Sequence, residues 1–156
     1  MDEGRGFTII DYEDRYKQAL EDISLPWLLE YDLLEPVDLE MLAEEVLHEP
    51  VLGFNPRQAR WGEEIVGMVM LELQGKGQCE LLKFGVKEAY RGRGIGTALM
   101  EAALQAARDA GQKKAVLTSN HQLREALRLY ERFGFKYVTY SDKWFQLSDI
   151  RMEREL

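Results

Sequence analysis

Arg91-Gly92-Arg93-Gly94-Ile95-Gly96-Thr97-Ala98-Leu99 lies between an apolar run ending at Val86 and an Ala/Leu-rich segment reaching Ala110. Three glycines at alternate positions strip side chains from the backbone, so consecutive amides can turn toward one anion where a helix begins. The helix dipole and the two arginines add positive potential at that point. The stretch therefore reads as strand, anion-binding turn and helix. A glycine-rich turn can also be a plain connector, and residues elsewhere in the chain must separate the two readings.

Two better-known glycine motifs do not fit. A dinucleotide fingerprint needs a third glycine at Thr97 and an acidic residue closing the next strand, and Lys114-Ala115-Val116-Leu117-Thr118-Ser119 ends without one. A nucleoside-triphosphate loop needs Gly-Lys before Ser or Thr, and no lysine separates Gly96 from Thr97.

Arg91, Gly94 and Gly96 stand in the order Arg-x-x-Gly-x-Gly, after a strand Cys79-Glu80-Leu81-Leu82-Lys83-Phe84-Gly85-Val86 and before a helix over residues 94–110. A second block, Ala126-Leu127-Arg128-Leu129-Tyr130-Glu131-Arg132-Phe133-Gly134-Phe135, is a helix ending Leu-Tyr, three residues, then Gly-Phe. Together these blocks resemble the GNAT family of N-acetyltransferases over residues 79–135, more than a third of the chain. The resemblance implies an α/β (α+β) fold: a mixed, mostly antiparallel central sheet, helices on both faces, and a splayed strand pair holding the cofactor. It implies acetyl-CoA as acyl donor, with its pyrophosphate on the glycine loop.

Bulk properties agree. The 156 residues are expected to form one N-acetyltransferase domain spanning 1–156. The N-terminus carries no apolar stretch of signal-peptide length, and no window approaches the ~20 apolar residues of a membrane span, so a cytoplasmic protein is expected. A net charge of −8 speaks against nucleic acid, whose binding relies on Lys and Arg. The single cysteine forms no internal disulfide, and two distant histidines, His48 and His121, give no metal-ligand spacing.

Periodicity and turn signals give an alternating order of elements. Strands are predicted at residues 7–10, 57–61, 65–73, 79–86, 114–119, 135–140 and 150–155, and helices at 12–22, 39–47, 94–110 and 123–133. Pro26 and Pro36 bracket a connecting segment, and Asp38 caps the helix at 39–47.

Acyl transfer from a thioester to an amine needs a neutral amine, a stabilised oxyanion and a proton for the departing thiolate. A lysine-like amine with pKa about 10.4 is almost entirely protonated at neutral pH, so a base must act. Glu80, the carboxylate inside the strand that leads to the loop, is the candidate base; the family supports a glutamate at this spacing, eleven residues before Arg91. Its other reading is a strand residue paired with Lys83, and Glu72 is the reserve base. Tyr130 is the candidate acid, in the family's position for that role; the alternative is an aromatic on the packed face of its helix.

The oxyanion is expected to meet a backbone amide of Phe84, Gly85 or Val86, where Gly85 permits a bulge. Arg91 and Arg93 are expected beside the pyrophosphate, whose main donors are backbone amides of Gly92, Arg93, Gly94, Ile95, Gly96 and Thr97. Many members of the family carry an asparagine where this chain has Leu123; Asn120 is the candidate replacement, with a helix N-cap as its alternative role. Cys79 neighbours Glu80 on the opposite side of the strand and reads as a packed thiol rather than a nucleophile.

The acceptor is expected to be a small-molecule, peptide or protein amine. Trp27, Tyr31 and Phe54 with Glu30, Asp32 and Glu35 offer an aromatic and acidic pocket for a cation, or serve as core and surface. A non-catalytic acyl-CoA sensor would share the fold and differ in lacking base and acid. A homodimer is possible through an exposed final strand.

Overall fold

The structure is a computed structural model that describes residues 6–11, 15, 17–30, 54–139 and 149–156. The helix expected at 39–47 with its Asp38 cap, His48, and Tyr31, Asp32 and Glu35 lie outside the described residues, as do the side chains of Trp27, Glu30 and Phe54.

Turn chemistry builds the first half of the sheet. Strand β1 (Thr8–Asp11) leads to helix α1 (Lys17–Glu30), and β2 (Phe54–Trp61) pairs antiparallel with both β1 and β3 (Glu64–Gly75). Gly62 and Glu63 alone turn β2 into β3, so Glu64, expected in the turn, belongs to the strand. Strand β4 (Gln78–Val86) closes the meander against β3.

Two crossovers build the second half. Helix α2 (Ile95–Asp109) joins β4 to the parallel β5 (Lys114–Ser119), and α3 (Arg124–Arg132) joins β5 to β6 (Lys136–Val138). The last strand, β7 (Ile150–Glu155), inserts antiparallel between β5 and β6, giving the order β1-β2-β3-β4-β5-β7-β6. The final strand is thus paired on both sides, contrary to expectation; among the described residues the edge on this side is the three-residue β6.

Both crossovers advance the same way across the sheet, so right-handed connection puts α2 and α3 on one face. Side-chain alternation splits the strands accordingly. Val69, Leu71, Cys79, Leu81, Ala115 and Leu117 join Leu99, Ala103, Leu127 and Phe135 in one buried cluster. Met68, Met70, Leu82 and Val116 are buried outside it, on the face where α1 contributes Ile23 and Leu28. Each fully buried Leu or Met contributes roughly 1.5–3 kcal/mol, so both faces hold the sheet.

Helix α1 starts later than expected and runs through Pro26. Proline there leaves the Asp22 carbonyl without its helical donor, a loss of about 3 kcal/mol in a helix interior. Burial of Ile23 and Leu28 on either side offsets it.

Candidate functional site

Strands β4 and β5 pair only as far as Leu81 and Leu117. Just beyond, β4 bulges against β3: Leu82 faces Met70 and Gly85 faces Met68, so Lys83 and Phe84 share Val69. Lys83 takes the left-handed conformation at φ 53. The bulge therefore sits on Lys83 rather than on Gly85. A two-against-one pairing bends the strand, and it resets the alternation so that Phe84 and Val86 pack against the α2 cluster that Leu81 also joins.

The parted strands bound a cavity of about 740 Å³. Leu81 to Val86 form one wall and Thr118, Ser119 and Asn120 the other, with Leu28 of α1 reaching it from the far face. The cavity therefore passes through the gap in the sheet. At one end lie Arg91, Gly92, Gly94, Ile95, Gly96 and Thr97.

That end has the chemistry of an anion site. Gly92 and Gly94 sit at φ 77 and 83, where an L side chain is strained. The first helical amide to find an acceptor is that of Ala98, on the Gly94 carbonyl, which leaves the three before it pointing outward from a helix of 15 residues. Gly96 is required differently: a Cβ there would lie 3.2 Å from Phe84 Cζ.

The two arginines part company. Arg91 lines the cavity, and its Nε donates to the Val86 carbonyl at 3.2 Å. Arg93, expected beside the anion, lies over the rings of Trp61 (5.1 Å) and Tyr90 (5.9 Å) and is not part of the cavity wall. Tyr90 in turn donates to Glu64, which also takes Lys87 at 3.1 Å, so the loop is tied to the β2–β3 hairpin.

At the β5 side, Ser119 Oγ is buried without a partner among the described residues, an unmet hydrogen-bonding group on the cavity wall. Asn120 is buried on the same wall. Its Oδ1 accepts from the Gln122 amide at 3.0 Å, while α3 has Leu123 at its N-cap and no side-chain cap, so Asn120 shapes the turn before the helix instead of capping it. His121 is held from outside, its amide donating to Asp149 Oδ1 at 2.9 Å and its ring meeting Oδ2 at 2.6 Å.

Tyr130 lines the cavity, edge-on to Phe84 (6.0 Å) and Phe135 (6.2 Å). Burial pushes its phenol well above the ordinary range, so it stays protonated. Packing and chemistry thus coexist in this residue.

Glu80 lies just beside the cavity and is not part of its wall. It is 4% exposed and faces the α1 side, directly across from Glu72 of β3. Its Oε1 accepts from Gln74 Nε2 at 2.8 Å, and its Oε2 is buried with no partner among the described residues. Burial, helped by the Glu72 charge and opposed by the Gln74 amide, pushes the Glu80 carboxyl up to about 7. Glu72 is raised as well, again by burial. The group bonded to Glu80 is therefore Gln74, which the sequence reading missed. The turn at 75–77 carried the signal, since a hairpin folded there sets 72 against 80.

Cys79 lies on the opposite face, its Sγ 3.5 Å from the Lys114 carbonyl and its thiol pushed up to about 11 by burial. It is a packing residue.

A narrow cavity with outward amides at one end, an unmet hydroxyl along a wall, and a buried carboxyl and phenol near the strand gap fits an elongated anionic donor meeting a second reactant. Residues 14–135 match the sequence model of the acetyltransferase (GNAT) family. The chain is 34% identical over 111 residues to YjgM of Escherichia coli K12, an uncharacterised N-acetyltransferase, covering 65% of this chain and 66% of that one. The curated relatives are longer proteins, of which this chain spans about two thirds or less. A GNAT acetyltransferase from Staphylococcus aureus Mu50 superposes with a TM-score of 0.83 at 19% identity, covering 96% of this chain and 98% of its own. The PaiA N-acetyltransferase of Thermoplasma acidophilum, solved with coenzyme A, gives 0.76 at 18% identity over 96% and 99%.

Proposed function

Because the chain belongs to the GNAT acetyltransferase family, we propose that it transfers the acetyl group of acetyl-CoA to a primary amine by direct attack in a ternary complex. The observation that carries this reading is the cavity through the strand gap, with outward amides at one end and Glu80 and Tyr130 near the gap. The residues fit the donor. The amides of Gly92 to Thr97, helped by Arg91, would hold the pyrophosphate, and Ser119 and Asn120 would meet polar groups of the pantetheine arm. Arg93 is assigned to holding the loop in shape through Trp61 and Tyr90.

When bound, acetyl-CoA supplies an activated acyl group. Glu80 takes the proton from the acceptor ammonium, working through water because it stands back from the cavity wall. A carboxyl at about 7 is half ionised at neutral pH, which suits a base. The carbon–nitrogen bond forms as the carbon–sulfur bond breaks, and a backbone N–H of Phe84 to Val86 steadies the carbonyl oxygen. Tyr130 hands its proton to the departing sulfur and takes in its place the second proton that the former amine nitrogen sheds as the amide forms, so the phenol ends protonated as it began. The acceptor class is a small amine, a peptide or a protein amine.

The test is free-thiol release from acetyl-CoA across a panel of amines, amino acids and basic peptides, with coenzyme A binding followed by calorimetry on the same sample. Binding with release on one class supports the reading and names the acceptor. Binding without release on any acceptor would favour an acyl-CoA sensor instead, and absence of binding would overturn the loop assignment.

A further inference from the structure

Glu72 and Glu80 face each other across β3 and β4, 7% and 4% exposed. One amide spans them: Gln74 Nε2 donates to Glu72 Oε1 at 3.1 Å and to Glu80 Oε1 at 2.8 Å. Its orientation is fixed from behind, since Gln74 Oε1 accepts from Gln78 Nε2 at 2.7 Å. A carbonyl turned toward two carboxylates would repel them, so only this orientation serves both. Glu80 is left with one oxygen, Oε2, that is buried and has no partner among the described residues.

We propose that Glu72 and Gln74 are positioning residues of this site, and that with Glu80 they form one unit holding a single proton, with Glu80 Oε2 as the oxygen that exchanges it. The inference rests on the reading of Glu80 as base. Two buried carboxylates directly opposite each other resist double ionisation, so one proton stays in the pair. Gln74 ties up one oxygen of each carboxyl; of the two it leaves, Glu80 Oε2 is the one buried without a partner among the described residues, and it belongs to the strand that lines the cavity. Among the described residues, the other charged groups acting on Glu80 are Lys83 of its own strand and Arg151 of β7, both favouring the ionised form, while β5 presents Val116 opposite it. The unit explains how a glutamate so deeply placed can both lose and regain a proton near neutrality: Glu72 discourages the charge, Gln74 accommodates it.

The test is a titration of the full chain labelled with δ-carbon-13 glutamate, the Glu80 signal being assigned by its absence in Glu80→Gln. Glu72→Gln removes the like charge and should lower the Glu80 midpoint by about one pH unit. Gln74→Met removes the donated hydrogen bond and should raise it by about one pH unit. Gln74 is exposed, so its variant leaves the core intact. Opposite shifts support the unit; unmoved midpoints, or shifts in the same direction, overturn it. The base reading fails separately: if Glu80→Gln keeps full thiol release in the acceptor panel, Glu80 is not the base, whatever the midpoints do.

Discussion

Replacing Glu80 by Gln should change the pH dependence of stability more than stability itself. In the folded chain the Glu80 carboxyl is raised from 4.5 to about 7 by burial first of all. Between those values the folded state keeps a proton that the unfolded chain has released, so stability falls as pH rises. Glu80's contribution is intact below about pH 4.5 and fully lost above about pH 7. One pKa unit corresponds to ~1.4 kcal/mol, which makes the total loss about 3 kcal/mol. Glutamine has no proton to lose and lacks this slope. Urea unfolding of both chains from about pH 4 to about pH 8 measures it, because their difference cancels the other titrating groups apart from the coupled Glu72. The variant should gain about 3 kcal/mol on the native chain across that range. A difference that stays constant within about 1 kcal/mol would refute a carboxyl held in apolar surroundings.

Tyr130→Phe keeps the ring contacts with Phe84 and Phe135, so stability should stay within about 1 kcal/mol while turnover drops roughly 100-fold; unchanged turnover in the thiol-release assay would leave Tyr130 a packing residue. Gly94→Ala puts a Cβ on a backbone at φ 83, at a cost of about 1–2 kcal/mol, and the reshaped loop should weaken coenzyme A binding by roughly tenfold in calorimetry. Equal affinity would show that the loop amides do not depend on that conformation. Cys79 should resist a thiol reagent in the folded chain and react only as urea unfolds it, and rapid labelling without denaturant would contradict its burial.

The elements with strong local signals were legible in advance. Strands 114–119 and 150–155 end where alternation and turn residues said they would, and α2 begins directly after Gly94, one residue from the predicted start. What escaped reading depends on partners distant in the chain. Pro26 looks like a stop, yet Ile23 and Leu28 carry α1 past it because the sheet needs their apolar surface. Gly85 looked like the natural bulge residue, but β3 sets the pairing and places the extra residue at Lys83. Arg91 and Arg93 are alike in chemistry and neighbourhood; the rings of Tyr90 and of Trp61, a residue distant in the chain, draw the second one away. The link from Glu80 to Gln74 and Glu72 was available from hairpin register, a count that composition and spacing of motifs do not perform.

The bulge at Lys83 has an arithmetical side. Removing that one residue would turn β4 into a regular strand in which Leu81, Phe84 and Val86 keep their faces, so the hydrophobic interior would tolerate the loss. What disappears is the bend, and with it the reason for β4 to part from β5. The shortened chain would still fold and would zip its sheet shut. The slot is thus encoded as a surplus of one in chain length, a property that no substitution at any single position reproduces.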